Sequence, residues 1–208
     1  MLKAIEKQFS LERELAVGLA EDLSSLTRFY ELIVSGPELE FRAGRIVVMG
    51  LINHAHSLIV GGLQAVEAGN GAVWSACFRG LIETFGACVL LSERPGTAPN
   101  YLEQIKPGKL YSAAERAIPG LKGDLARLHQ IVHPASGAIF AGIQSRDEVA
   151  KTAVFKFGLF PPSNSEAREG IIVLSNLADS LVKQFSKLAS SGAVLSAGKV
   201  VMDRASKT

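Results

Sequence analysis

Apolar residues in the first third of the chain recur three and four positions apart, which is the spacing of an amphipathic helix. A first helix is predicted from Leu2 to about Val34, where Ser35-Gly36-Pro37 ends it. A second helix is predicted from about Ala43 to Ala68, and it carries no charged residue over Ile46–Val66. The pattern therefore indicates a helical protein.

The uncharged stretch is long enough to cross a bilayer, so a membrane span and a soluble core helix are both open. A helix that is apolar on all sides can also form the centre of a soluble bundle. Polar side chains favour the bundle because they are costly in lipid; they are Asn53, His54, His56 and Gln64. The two histidines point roughly 200° apart on a helix, so they cannot chelate one ion together. At most one of them is expected to face the core, as a hydrogen-bonded histidine.

A third helix follows the tight connection Gly69-Asn70-Gly71, and a short link between long helices makes them antiparallel neighbours. Gly61-Gly62 predicts that the second helix approaches a neighbour closely. Proline–glycine pairs then separate shorter helices around Tyr101–Ile105 and Lys109–Ile118. A fourth core helix is predicted from about Leu121 to His133, because the proline that follows disfavours helical geometry at the residue before it.

Between residues 138 and 160 the period changes to two, which predicts a small β-hairpin. In this hairpin Ile139–Gln144 pairs with a strand around Thr152–Phe157, and Ser145–Glu148 form the turn.

A last helix is predicted from a capping box at Ser163 and Glu166 to about Leu188. The chain is thus predicted to be mostly α, a helical bundle of four to five long helices with a small β-hairpin. Its parts are an N-terminal helix packed on the bundle (1–36), the bundle with the hairpin near 138–160 (37–188), and a loosely ordered tail (189–208).

Charge and cysteine content narrow the function classes only slightly. The 22 basic residues nearly balance the 20 acidic ones and form no basic stripe, so charge does not indicate a dedicated nucleic-acid binder.

Cys77 and Cys88 would lie about 16 Å apart on the third helix, too far for a disulfide. Reduced cysteines, and an N-terminus without the apolar run of a signal peptide, predict a cytoplasmic location.

Arg79 and Glu83 are the charges that need explaining, because the rest of the third helix is almost wholly apolar. A lone buried charge is costly, so each needs a partner. One interpretation is a mutual ion pair that fixes helix packing, and the other is a polar pocket at the bundle centre. Arginine before glutamate is the less favourable order within a helix, so at least one of the two is expected to face another element.

His129 and His133 lie four apart and share a helix face, which is a spacing that can bind a transition metal. No third ligand lies nearby in sequence. One histidine hydrogen-bonded in the core and one capping the helix end explain the pair without an ion. We therefore predict neither a metal site nor a cofactor.

Arg127 and His133 add the spacing R-x-x-x-x-x-H. The chain combines it with an R-x-x-x-E helix core (Arg79 and Glu83), a helix that ends in His133-Pro134, a small hairpin and a final helix. This layout resembles the HEPN superfamily of helical bundles, which occur in prokaryotic toxin and defence proteins. It is most similar to an uncharacterised bacterial branch, over about residues 42–188.

The resemblance implies a homodimer that cuts RNA without a metal. Arg127 would stabilise the phosphate and His133 would handle the proton of the 2′-hydroxyl, whereas Leu128 stands where the family commonly has a polar residue. A nucleotide-binding protein of a toxin or defence system is a related expectation. The alternative is a non-catalytic bundle that binds a protein partner and whose polar cluster of Arg79, Glu83 and His129 is structural.

Overall fold

The computed structural model describes residues 13–35, 42–98, 106–121, 123, 143–147, 152–155 and 164–198. Over these residues the chain is mostly helical, which confirms the predicted α bundle. The elements are α1 (Arg13–Val34), α2 (Ala43–Glu67), α3 (Gly71–Glu93), a 3₁₀ turn (Pro95–Thr97), α4 (Pro107–Ala117), β1 (Ile143–Asp147), β2 (Thr152–Phe155), α5 (Asn164–Ala189) and α6 (Gly192–Leu195). The predicted helix at 101–105, and nearly all of the one predicted over 121–133, lie outside the described residues.

The four long helices α1, α2, α3 and α5 share one apolar core. Each contributes side chains that are fully buried, and each such Leu, Ile or Phe stabilises the fold by about 1.5–3 kcal/mol. These include Leu19 and Leu26 of α1, Ile52 and Ile59 of α2, Leu81 and Phe85 of α3, and Leu174, Leu181 and Phe185 of α5. The predicted inner face of the last helix is confirmed, since Ile171 and Ala178 are buried as well.

Glycines set the close approach of α2 to its neighbours, as predicted. A Cβ placed on Gly61 would lie 3.3 Å from Sγ of Cys77 on α3, and one on Gly62 would lie 3.3 Å from Leu174 on α5. The late part of α2 therefore packs on the early parts of both α3 and α5. Leu58, earlier on α2, lies beside Gly80, later on α3, and Gly44 at the start of α2 lies beside Val194, which follows the end of α5. It follows that α2 runs antiparallel to both helices, and that α3 and α5 run in the same direction.

The helices α2 and α3 are long and apolar enough to cross a membrane, by length and composition only, and the core helices of soluble bundles pass the same test. On α2 the apolar side chains Ile52 and Ile59 are buried, whereas polar side chains face outward. The exposed polar residues are Asn53, His54, Ser57 and Gln64. His56 is half-buried and His54 is exposed, so the expectation of a core histidine on this helix is wrong.

The two short strands β1 and β2 pair antiparallel, with Arg146 opposite Ala153 and Asp147 opposite Thr152. The register shifts between Ile143 and Ser145. The predicted position of the turn is therefore wrong, because Ser145 to Asp147 lie within β1. β2 lies within the segment whose apolar alternation predicts a strand.

The chain after Ala189 differs from the predicted loose tail over residues 190–198. The short helix α6 buries Val194, which is only 1% exposed. The first amides of α2 donate to this segment, from Ala43 to the carbonyl of Gly198 at 3.1 Å and from Gly44 to that of Ala197 at 3.0 Å. These bonds satisfy N–H groups that a helix start otherwise leaves without partners.

Candidate functional site

Three polar side chains meet at the seam between α3 and α4. Arg79 and Glu83 lie one turn apart on α3, and Tyr111 lies on α4. Nε of Arg79 donates to Oε1 of Glu83 at 3.1 Å and to Oη of Tyr111 at 3.0 Å. The hydroxyl of Tyr111 in turn donates to Oε1 of Glu83. Guanidinium, carboxylate and phenol therefore form a closed triangle, which we call the Arg79–Glu83–Tyr111 cluster.

The absence of a side chain at Gly86 lets α4 come close enough to form this cluster. A Cβ at Gly86 would overlap the carbonyl oxygen of Leu110, the residue before Tyr111. On α4 the small side chains Ala113 and Ala114 are fully buried. Backbone-to-backbone packing at this point fixes the register of α4, and that register places Tyr111 over the ion pair.

An ion pair aligns the far end of the same seam. Nη2 of Arg116 lies 2.7 Å from Oε2 of Glu93, at the end of α3. These side chains are 53% and 43% exposed, so the pair contributes little to stability. It does show that α4 ends beside the end of α3.

Partial burial shapes the electrostatics of the cluster. Burial lowers the pKa of Arg79, but the hydrogen bonds to Tyr111 and Glu83 outweigh it and raise that pKa above its usual value. Burial, followed by the hydrogen bond to Glu83, raises the pKa of Tyr111. The phenol therefore stays neutral at physiological pH and acts as a hydrogen-bond donor, not as a base or a nucleophile.

The cluster remains accessible, since the Arg79 and Glu83 side chains are 25% and 29% exposed. Both described partners of Arg79 sit on Nε. Within the described ranges no hydrogen bond engages its two terminal amino groups. A guanidinium held in this way presents a planar fork of N–H donors, which matches the oxygens of a phosphate or a carboxylate.

The structure tests the predicted site residues unevenly. The predicted ion pair between Arg79 and Glu83 is present, and Tyr111 is the expected contact from another element. Arg127, His129 and His133 lie outside the described residues, so the catalytic roles of Arg127 and His133, and the meeting of His129 and His133 with Arg79 and Glu83, stay predictions. Across the part of the chain that the structure describes, no three His, Cys, Asp or Glu side chains are grouped to hold a metal ion.

Sequence reasoning missed Tyr111. A weak signal exists, because Tyr111 is the aromatic residue of the short helix predicted over 109–118. Periodicity places it on a helix face but does not say which residues of α3 that face meets. Only the close approach at Gly86 decides that.

Neither cysteine adds a reactive group. Cys88 is buried and Cys77 is half-buried, and both are free thiols. Burial raises the pKa of both thiols. They therefore remain protonated, which suits core packing better than nucleophilic chemistry.

Apart from the cluster, a cavity of about 190 Å³ opens between α1 and α2. It is lined by Leu26, Thr27, Tyr30, Ile52, Asn53 and His56. No charged side chain lines it, and its polar groups lie at half-buried or exposed positions. It is a weaker candidate than the cluster because nothing in it is fixed by a hydrogen-bond network.

Comparison with protein-family models, with curated proteins and with solved structures finds no match for this chain.

Proposed function

We propose that this chain is a HEPN-like bundle protein of the bacterial cytoplasm that acts on RNA as a metal-independent endoribonuclease of a toxin or defence system. The observation that supports the proposal is the half-buried Arg79–Glu83 pair in a central bundle helix, braced by Tyr111. This is the R-x-x-x-E element of the resemblance, within an α bundle. The β1–β2 pair belongs to the same proposed layout.

The proposed chemistry rests with Arg127 and His133. The imidazole takes the proton of a 2′-hydroxyl, and the resulting oxygen attacks the adjacent phosphorus. The bond from phosphorus to the 5′-oxygen breaks, which leaves a 2′,3′-cyclic phosphate and a 5′-hydroxyl. The guanidinium of Arg127 stabilises the charge that accumulates on the phosphate oxygens.

The topology of the described helices is compatible with this role. The end of α4 lies at the end of α3, where Arg116 contacts Glu93, whereas the first half of α5 lies near the early part of α3, because Leu174 and Cys77 both lie beside Gly62. The stretch of sequence that joins α4 to α5 contains Arg127, His129 and His133. We propose that it brings the histidines to the seam beside Arg79, and that two copies face each other in a homodimer.

The location and solubility are part of the same proposal. Part of the apolar surface of α2 is buried, including Ile52 and Ile59, and the polar residues Asn53, His54, Ser57 and Gln64 are exposed, which favours a bundle in water over a membrane span. Recovery of the chain in the soluble fraction without detergent is the expected result. Extraction only with detergent would contradict it.

The test is cleavage of a mixed RNA substrate in the presence of a chelator. Wild-type protein is expected to cleave and to leave 2′,3′-cyclic phosphate ends, whereas His133→Ala and Arg127→Ala are expected to be inactive. His54→Ala is the matched control, because His54 is exposed on α2 away from the cluster. Absence of cleavage by a folded, dimeric wild-type protein, or full activity of His133→Ala, would reject the nuclease.

One observation favours the alternative of a non-catalytic bundle that binds a protein partner. The groups that meet in the cluster already satisfy one another, as a structural cluster does. If the protein is such a bundle, the wild type and all the variants above would neither bind nor cleave RNA. Loss of stability alone would follow from Tyr111→Phe.

A further inference from the structure

The guanidinium of Arg79 is held from one side only. Glu83 and Tyr111 both contact Nε, at 3.1 and 3.0 Å, and they come from two different helices. An arginine fixed at Nε cannot rotate its terminal amino groups freely. Its orientation is therefore set before any ligand arrives, which lowers the entropy cost of binding.

We propose that the terminal amino groups of Arg79 bind an oxyanion, the phosphate of a nucleotide or of an RNA strand, and that Glu83 and Tyr111 are positioning residues for it. The choice of phosphate over other oxyanions rests on the proposed function. The binding site itself rests on the geometry of the seam. It is separate from the role proposed for Arg127 and His133.

The charges of the cluster explain why two positioning residues are needed. Glu83 neutralises Arg79, so long-range attraction for an anion is weak and a directed hydrogen-bond pair must supply the affinity. Tyr111 donates its proton to Glu83 and accepts from Arg79, so it holds the carboxylate on the Nε side. That leaves the two terminal nitrogens of Arg79 without a hydrogen bond to any described residue, and so available to the ligand.

Exposure is consistent with such a site. The Arg79 side chain is 25% exposed, so solvent reaches the cluster while most of the side chain is packed. The other cross-seam ion pair differs, because Arg116 is 53% exposed and places Nη2, a terminal nitrogen, on Glu93. Both terminal nitrogens of Arg116 already have partners, because Nη2 donates to Glu93 and Nη1 donates to the carbonyl of Ser112, so this residue serves as a matched control for Arg79.

The experiment is titration of the full chain with inorganic phosphate, a mononucleotide and a short oligoribonucleotide, followed by calorimetry and by ³¹P resonance shifts. Arg79→Lys keeps the charge but loses the fork, so the dissociation constant is expected to rise by about tenfold. Tyr111→Phe and Glu83→Gln are expected to weaken binding by a smaller factor. Arg116→Gln is expected to bind as the wild type does.

Two further measurements distinguish phosphate binding by Arg79 from a purely structural role. The melting temperature of each variant shows whether it is folded. Arg79→Ala is titrated with millimolar guanidinium, which is expected to restore phosphate binding. Tighter binding of the oligoribonucleotide than of the mononucleotide would identify the source as an RNA strand, and equal binding would identify a free nucleotide. Unchanged affinity in folded Arg79→Lys, equal loss in Arg116→Gln, or acetate bound as tightly as phosphate would overturn the inference.

The outcome for this site is distinguishable from the outcome for the nuclease. Phosphate binding that depends on Arg79, in a protein that cleaves no RNA, would retain this site and remove the ribonuclease. If cleavage requires His133, and Arg79→Lys changes neither cleavage nor phosphate binding, the ribonuclease is retained and the Arg79 site is removed.

Discussion

The hydroxyl of Tyr111 donates a hydrogen bond to the carboxylate of Glu83, 28 residues earlier in the chain. This bond joins the short helix α4 to the central helix α3, and Arg79 completes the contact. Beside this contact, the small residues Gly86 on α3 and Ala113 and Ala114 on α4 allow the two backbones to meet. The hydroxyl of Tyr111 therefore ties the position of α4 to the half-buried ion pair between Arg79 and Glu83.

Removing that hydroxyl should destabilise the fold without disturbing its apolar packing. We expect Tyr111→Phe to lower the free energy of unfolding by about 1 kcal/mol, because Glu83 loses a donor in a half-buried site. Urea denaturation measures the change. Tyr30→Phe is the control, since Tyr30 is 38% exposed on α1 and should change stability by less than about 0.5 kcal/mol. Equal effects of the two substitutions would contradict a special role for Tyr111.

The close approach at Gly86 predicts opposite outcomes for one chemical change at two helical glycines. Gly86→Ala would push the carbonyl of Leu110 away, and we expect it to cost about 2 kcal/mol and to weaken the Tyr111 contact. Gly50→Ala, on the exposed side of α2 with nothing within 4 Å, should stabilise by up to about 1 kcal/mol through helix propensity. Thermal unfolding of both variants tests the contrast. A stabilised Gly86→Ala would show that α4 does not pack there.

The fold was predictable from sequence to the extent that its elements depend on local spacing. The inner face of α5 follows from apolar residues three and four apart, and Leu174, Leu181 and Phe185 are buried accordingly. The packing of residues 190–198 was not predictable in this way. Val194 is buried because Gly44, some 150 positions earlier, leaves room for its carbonyl, and no local pattern records such a contact.

The sequence predicted the two charged residues of the candidate site but not the tyrosine that contacts them. Two opposite charges in an apolar helix require partners, and this physical argument identified Arg79 and Glu83 correctly. Tyr111 required knowledge of how α4 sits on α3, which is a tertiary property. The sequence signal for Arg127 and His133 is their spacing alone, and the RNA cleavage assay with His133→Ala and Arg127→Ala tests it.

The C-terminal segment should contribute measurably to stability. Val194→Ala removes buried methyl groups from the contact with α2, and we expect a loss of about 2 kcal/mol in the free energy of unfolding. Val173→Ala is the matched control, because Val173 is 40% exposed on α5. Urea denaturation compares the two. A loss below about 0.5 kcal/mol for Val194→Ala would indicate that residues 190–198 do not hold the start of α2.

The interface of α1 with α5 predicts a dependence of stability on pH. Burial, followed by repulsion from Asp179 on α5 and from Glu21, raises the pKa of Asp22 from 3.8 to about 6, while Lys183 opposes this. The folded protein therefore binds more protons than the unfolded chain between these two values. Stability falls as the pH rises through that window, and the charged form of Asp22 costs stability above pH 6.

Asp22→Asn cannot ionise, so it should be more stable than the wild type above the window and equally stable below it. The full shift would correspond to about 3 kcal/mol, but Asp22 is half exposed and solvent screening reduces the expected gain to about 1 kcal/mol. Urea midpoints at pH 7.5 and at pH 3.5 measure the difference, with Glu31→Gln, at an exposed position elsewhere on α1, as the control. A gain that is the same at both pH values would mean that lost contacts, and not the carboxylate charge of Asp22, set the stability of this interface.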